Sequence, residues 1–349
     1  MGWIMSKIKI SIIVTVYNIE KEIGRCLESL VNQSLKEIEI IVVNDGSKDN
    51  SQKIIDEYYE KYPNLIRPFI KENGGGDWGA RNYGLAKVSS DYFVFVDGDD
   101  YVHPDFAKKL YEAIHKNKSD MAVCAMDRID IESGKLVTTD MNKYGYKTID
   151  AKGNESLIAF INPGPCNKVY RKSIVEGIEF KAVRGSCDLF FLLTAMPRIK
   201  KISFIKDSLY YYMMHRDSQI FNIKEQDLKN FENNFLEIKE IYETTDRGQE
   251  LLEYLNLMAF IHFGISIMYR VSYNSKDIKQ DSKNILNFLN ENFPGWRKCP
   301  YLKLFYSIKR GFKYFAMYVV NIVYKLNMPL VFIKPYRFMI DKMKIDIKF

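Results

Sequence analysis

The chain has 349 residues, more than a single compact core most often serves, so we expect a main domain of roughly 200 residues or somewhat more, plus an appendage. Hydrophobic residues at 47% and charged residues at 27% exclude disorder and fibre, because no stretch is starved of apolar side chains. Five scattered cysteines without Cys-x-x-Cys spacing, and only four histidines, argue against zinc sites and a disulfide scaffold.

The net charge of +7 is unevenly placed. From Trp296 to Phe349 there are twelve Lys/Arg against two Asp, a balance of +10, so the preceding residues sum to −3. A nucleic-acid groove is disfavoured, since the folded portion has no positive excess to form one. Met1 to Lys9 shows no apolar core of signal-peptide length, and we expect a cytoplasmic protein.

In chain order, Ile8–Val16 is apolar and β-branched, which suits a strand covered on both faces. Ile19, Ile23, Cys26, Leu27, Leu30 and Val31 then form the stripe of an amphipathic helix. A second strand, Ile38–Val43, ends in Asn44-Asp45-Gly46-Ser47, with Ser47 or Asp49 placed to cap a helix carrying Ile54, Ile55 and Tyr58. A third strand at Leu65–Ile70 runs into a glycine-rich loop and a short helix ending near Lys87. Tyr92–Val96 is a fourth strand that stops at Asp97-Gly98-Asp99-Asp100, and Pro104 opens a helix bearing Phe106, Leu110 and Ile114. This alternation predicts an α/β doubly wound fold.

Met121–Met126 and Lys135–Thr139 read as shorter strands extending the sheet. A helix follows at about Asp188–Ala195, and beyond Asn222 the pattern is helical, with long segments near 227–242, 251–269 and 278–290. The tail from Trp296 interleaves basic residues with aromatic ones. Asn321, Lys325, Asn327 and Pro329 make its most apolar part a poor membrane span. Two readings stand equally: a helix lying on an anionic membrane surface, or one that closes the protein's own core or a dimer interface.

Ligands of open parallel sheets bind where the carboxyl ends of strands converge. Asp45 ends the second strand, and Asp97, Asp99 and Asp100 end the fourth. Crowded carboxylates repel one another unless a cation is present, and an all-oxygen set points to Mg²⁺ or Mn²⁺ shared with the phosphates of a nucleotide diphosphate. The alternatives are a solvated turn for Asp97–Asp100 and an Asx-turn for Asp45. Gly74, Gly76 and Gly79 also satisfy a G-x-G-x-x-G pattern that would bind NAD, although Asp77 and Trp78 crowd the place where pyrophosphate must approach.

The segments SIIVTVYN (Ser11–Asn18), VVNDGSKDNS (Val42–Ser51), ENGG…GARNYGL (Glu72–Leu85) and FVDGDD (Phe95–Asp100) resemble, in order, the signatures of family-2 inverting glycosyltransferases. The likeness is strong to about Asp130, thinner to about Ser218 and absent beyond. It implies a GT-A fold over residues 1–220, followed by a helical extension (221–295) and the basic aromatic tail (296–349). By that resemblance, Thr15, Tyr17 and Asn18 border the nucleotide, Asp45 bonds the base, and Asp97 faces the ribose and sugar. Asp99 would ligate Mn²⁺ or Mg²⁺, and Arg81 would sit near the donor sugar or diphosphate.

In Gly185-Ser186-Cys187-Asp188, the resemblance makes Asp188 the general base for the acceptor hydroxyl, with Cys187 standing where the family has Glu. The alternative for Asp188 is a helix N-cap. The glycine loop departs as well, because Asp77 and Trp78 replace a small residue and Ser and lengthen it by about one residue. Asn167 and Lys168 resemble an element flanking the acceptor cleft, which a solvated basic turn explains nearly as well. His215 and Arg216 resemble a loop that reaches the diphosphate, although a lone His is usually structural.

The expected activity is inverting, metal-dependent transfer from a nucleotide diphosphate sugar, with uridine the expected nucleoside, to a saccharide or lipid-linked saccharide. Competing readings are an NAD oxidoreductase, a sugar nucleotidyltransferase, and a nucleotide-sugar-binding protein without turnover. A membrane-seeking tail would hold the protein at the inner face of the cell membrane.

Overall fold

The structure, a computed structural model, describes residues 7–154, 159–183, 186–214 and 225–343. It divides into two compact units, one formed by residues 1–154 and 160–217, the other by 155–159 and 218–349.

The first unit is built on a mixed sheet with strands in the order β3-β2-β1-β4-β9-β6-β10-β5. Four parallel strands form its first half: β1 (Ile10–Val16), β2 (Ile38–Asn44), β3 (Ile66–Ile70) and β4 (Tyr92–Asp97). All of β1 and β2 except half-buried Thr15 is buried, as their unbroken apolar runs require. Helices α1 (Ile23–Val31), α2 (Ser51–Lys61) and α3 (Asp77–Leu85) are the crossovers between these strands. Neither Ser47 nor Asp49 is the N-cap of α2; that position is Asn50, while Asp49 accepts from the Ser51 amide at 3.0 Å. Helix α3 packs so closely on β1 that a Cβ at Gly84 would lie 2.4 Å from Ile13 Cγ2, so only glycine fits there.

The second half departs from the parallel pattern. Strand β5 (Tyr101–Val102) and helix α4 (Phe106–Lys116) lead into β6 (Met121–Asp130), beside which lies β7 (Leu136–Asp140). Strand β8 (Lys147–Asp150) pairs antiparallel with β10. Strand β9 (Lys168–Arg171) inserts antiparallel between β4 and β6, which brings the chain just before it to the carboxyl end of β4. Lys168 is fully buried and Asn167 is 1% exposed, so the solvated-turn reading of this segment is wrong. Helix α5 (Cys187–Ala195) follows, then β10 (Lys201–Met214), a 14-residue strand parallel to β6 with register shifts around Ser208. The strand runs to Met214; His215 and Arg216, read as a loop reaching the diphosphate, lie outside the described residues.

The second unit is helical: α6 (Glu225–Thr244), α7 (Asp246–Ala259), a π-helical stretch Phe260–Ile267, α8 (Met268–Asn274), α9 (Ile278–Asn292), α10 (Leu304–Arg310), α11 (Phe312–Lys325) and α12 (Pro329–Met343). Phe231, Phe235, Phe263 and Phe293 form an aromatic core, and buried Trp296 stacks on Phe260 at 5.2 Å. The continuous helix Asp246–Tyr273 is long and apolar enough to cross a membrane, but 67% of its most apolar window is buried in the protein, as expected of a core helix.

Residues beyond Trp296 help to close this unit. Met317, Val320, Asn321 and Tyr324 form the buried face of α11, where Asn321 donates to the Leu302 carbonyl at 2.9 Å and Tyr324 donates to the Gly264 carbonyl. The opposite face exposes Phe312, Phe315, Val319, Ile322 and Leu326, at helical spacing.

Candidate active site

The register of the parallel strands sets Thr15 opposite both Val43 and Asp97, and Val16 opposite Asn44. With neighbouring strands about 4.8 Å apart, the loops after β1, β2 and β4 leave one edge of the sheet together. Asn18, in the left-handed region at φ 52°, donates its amide to Ser47 Oγ at 3.0 Å and accepts from the Lys48 amide at 2.8 Å, tying the first two loops together. Tyr17 stands out from this rim with 48% exposure.

Asp45 is 4% exposed and paired with Lys71, while Asn73 Nδ2 donates to its carboxylate at 3.1 Å. These contacts run from the end of β2 to the glycine loop after β3, more than an Asx-turn asks for. After β4 the chain turns at Gly98, whose amide donates to the Thr15 carbonyl at 3.1 Å. A Cβ there would approach the same oxygen to 2.7 Å.

The aspartates after β4 have different environments. Asp100 is 1% exposed and turns inward, accepting from Tyr210 Oη at 2.6 Å and the Met213 amide at 2.7 Å. Burial, with Asp99 and Asp97 nearby, holds its carboxyl well above the usual carboxylate range. Asp97 accepts from Arg81 Nη2 at 2.9 Å and from the Cys166 thiol at 3.3 Å. Asp99 is half-buried at the rim, and its backbone carbonyl accepts from Arg25 Nη2 at 2.7 Å.

Arg81, 3% exposed on α3, is the centre of the arrangement. Its guanidinium binds Asp77 at 2.8 Å, Asp97 at 2.9 Å and Asp188, and lies 5.4 Å from the Phe180 ring centre. Burial opposes its charge, but Asp188, Asp97 and Asp77 outweigh that and secure the cation. Asp188 sits in the first turn of α5, whose N-cap is Ser186, so the capping reading of Asp188 fails. Its side chain keeps 31% exposure. Burial raises its carboxyl to about 6 against the pull of Arg81, with Asp77 and Asp97 adding to the rise.

Lys168 donates to the Gly164 carbonyl at 2.5 Å and to Asn167 Oδ1 at 2.7 Å, and Asn167 Nδ2 reaches the Cys124 carbonyl at 2.7 Å. Together they fix the segment that carries Cys166 to Asp97. Sequence reasoning did not identify the roles of Asp77, Cys166 and Tyr210. Asp77 and Arg81, four apart on a helix, were detectable as a pair; Cys166 and Tyr210 reach the site only through sheet pairing.

Asp77, Cys187 and Asp188 bring ligand atoms within 4.8 Å of one another. This set fits Mg²⁺ or Mn²⁺ poorly, because burial and the adjacent carboxylates hold the Cys187 thiol protonated and Arg81 already supplies a cation. Asp99, half-buried at the end of β4, offers an oxygen-only ligand of the kind such an ion prefers. An open recess of about 500 Å³ lined by Lys109, Tyr146, Thr148 and Asp207 contains none of these residues.

The family description Glycosyl transferase family 2 matches residues 11–178. A poly(ribitol-phosphate) β-glucosyltransferase of Bacillus spizizenii is 32% identical over 228 residues, which cover 64% of this chain and only 35% of that protein. The crystal structure of residues 1–349 of Staphylococcus aureus TarS in complex with UDP-GlcNAc superposes with a TM-score of 0.72 at 24% identity, covering 95% of this chain and 92% of that one, and shares the GT-A fold. Glycosyltransferase GlyG of Streptococcus pneumoniae is 30% identical over 223 residues, 58% of this chain and 70% of its own length, and on this likeness the chain belongs to glycosyltransferase family 2.

Proposed function

We propose that the protein transfers a sugar, with inversion, from a nucleotide diphosphate donor, UDP-linked by the TarS likeness, to a hydroxyl of a surface saccharide or lipid-linked saccharide. The observation that carries this reading is the convergence of Asp97 and Asp188 on Arg81 at the rim where β4 ends. Asp188 takes the proton of the acceptor hydroxyl as its oxygen bonds to the anomeric carbon. The bond from that carbon to the diphosphate oxygen breaks on the opposite side, and its electron pair leaves with the nucleoside diphosphate. Asp99 would hold a divalent cation, which would supply charge neutralisation to the departing diphosphate.

Thr15, Tyr17, Asn18 and Asp45 frame the nucleoside, and Asp97 and Arg81 orient the sugar. Asn167 and Lys168 act from behind, by fixing the segment around Cys166. The test is Mn²⁺-dependent thermal stabilisation and hydrolysis across a panel of nucleotide sugars. D99A should lose metal-dependent binding, and D188A should bind donor and lose turnover. Normal turnover by D188A would overturn the base assignment.

The exposed stripe of α11 supports peripheral attachment to the inner face of the cell membrane. Lys325, at the end of the same helix, is exposed, as are Lys303, Lys309 and Lys334 on the neighbouring segments, chemistry suited to anionic headgroups. V319E/I322E should release the protein from phosphatidylglycerol vesicles in co-sedimentation, with donor binding intact. A concentration-dependent dimer abolished by the same variant, with no vesicle binding by the parent, would assign the stripe to a second copy of the chain.

A further inference from the structure

Asp77 opens α3, and Cys187 opens α5. The structure brings these two positions together at the base. Cys187 Sγ lies 3.5 Å from Asp77 Oδ1 and 3.5 Å from Asp188 Oδ1. The same guanidinium nitrogen, Arg81 Nη1, binds Asp77 Oδ2 at 2.8 Å and also Asp188 Oδ1. A buried guanidinium paired with one carboxylate stabilises its ionised form and makes it a poor proton acceptor. A second carboxylate on the same nitrogen divides that stabilisation.

We propose that Asp77 is a positioning residue for the base, sharing Arg81 Nη1 with Asp188 so that Asp188 is held in place by Arg81 yet still accepts a proton from the acceptor. The proposal rests on the reading of Asp188 as the base. Asp77 is 46% exposed, so water solvates its carboxylate while one oxygen reaches inward to Arg81. Asp188 is faced from α3 by Arg81 and Asp77, from β4 by Asp97, and from its own helix by Cys187. Lys168 and Tyr170 on β9, and Cys166 before it, also lie within its field. Of the carboxylates facing Asp188, Asp77 is the one with no other place in the site.

The test uses the full chain with ¹³C-labelled aspartate carboxylates, the Asp188 resonance being assigned by its loss in D188N. Titration should give a midpoint near 6 in the parent, one lower by roughly one unit in D77N, and a parental one in D77E, which restores the carboxylate. The rising limb of the pH profile of UDP-GlcNAc hydrolysis should move by the same amount. An unmoved midpoint in D77N, with D188N inactive, overturns the role of Asp77 alone. Full hydrolysis by D188N overturns the base reading beneath it, so the two failures are separate.

Discussion

The hydroxyl of Tyr210 joins two residues of the β4 turn, accepting from the Asp97 amide at 3.1 Å and donating to the Asp100 carboxylate at 2.6 Å. A side chain from β10 thereby fixes the loop on which Asp99 stands. Y210F removes both bonds and leaves a buried amide short of a partner. We expect a loss of about 1–3 kcal/mol in urea unfolding, together with weaker Mn²⁺-dependent donor binding. Unchanged donor binding in a destabilised variant would confine Tyr210 to stability.

Asp188 gives a pH signature. A base must be ionised, so turnover should rise with pH through about 6 and then level off, and D188N should lose roughly 10²- to 10⁴-fold in turnover while retaining donor affinity. The sign for stability is opposite. A carboxyl raised from 3.8 to about 6 on folding favours the native state when protonated, so its contribution falls between those values and is constant above them. Thermal unfolding of the parent and D188N at pH 4 and pH 7 measures the difference.

Arg81 serves three carboxylates with one planar fork, which a lysine ammonium cannot reproduce. R81K should lower stability by about 3 kcal/mol, the low end for a broken buried pair because each carboxylate retains some water. Hydrolysis should fall to background, since Asp188 and Asp97 lose their common anchor. Parental stability in urea would show that the fork is dispensable.

Lys168 titrates in the other direction. Burial lowers its ammonium from 10.5 to about 8, so the unfolded chain binds more protons between those values and stability from this group rises with pH across the window, by about 3 kcal/mol in all. K168M removes that slope. Unfolding free energies of the two proteins from pH 7.5 to 10.5 should therefore diverge as pH increases.

The parallel half of the sheet was legible because β1, β2 and β4 are buried apolar runs, and β2 and β4 lead directly into Asp45 and Asp97. Ile38–Asn44 and Tyr92–Asp97 match their sequence signals to within a residue. The glycine pattern of Gly74, Gly76 and Gly79 suggested a dinucleotide site, a reading overturned by membership of glycosyltransferase family 2. Strand β9 was hidden because Lys168 and Arg171 look solvated in sequence, and only the pairing with β4 and β6 reveals that Lys168 is buried. Asp100 could not be told from Asp99, since an adjacent pair of identical residues carries no hint of which faces inward. In sequence Asp77 reads as an intrusion into the glycine loop; its spacing from Arg81 marks an i,i+4 pair, but its contact with Cys187 joins α3 to α5, two helices that the sequence leaves unrelated.

The reversal of β9 has a consequence for divergence. Because that strand runs against β4, the chain before it reaches the end of β4, where Cys166 meets Asp97, before turning back along the sheet. Relatives can rebuild this segment while inheriting β1, β2 and β4, the strands whose ends the proposed function assigns to the donor, intact.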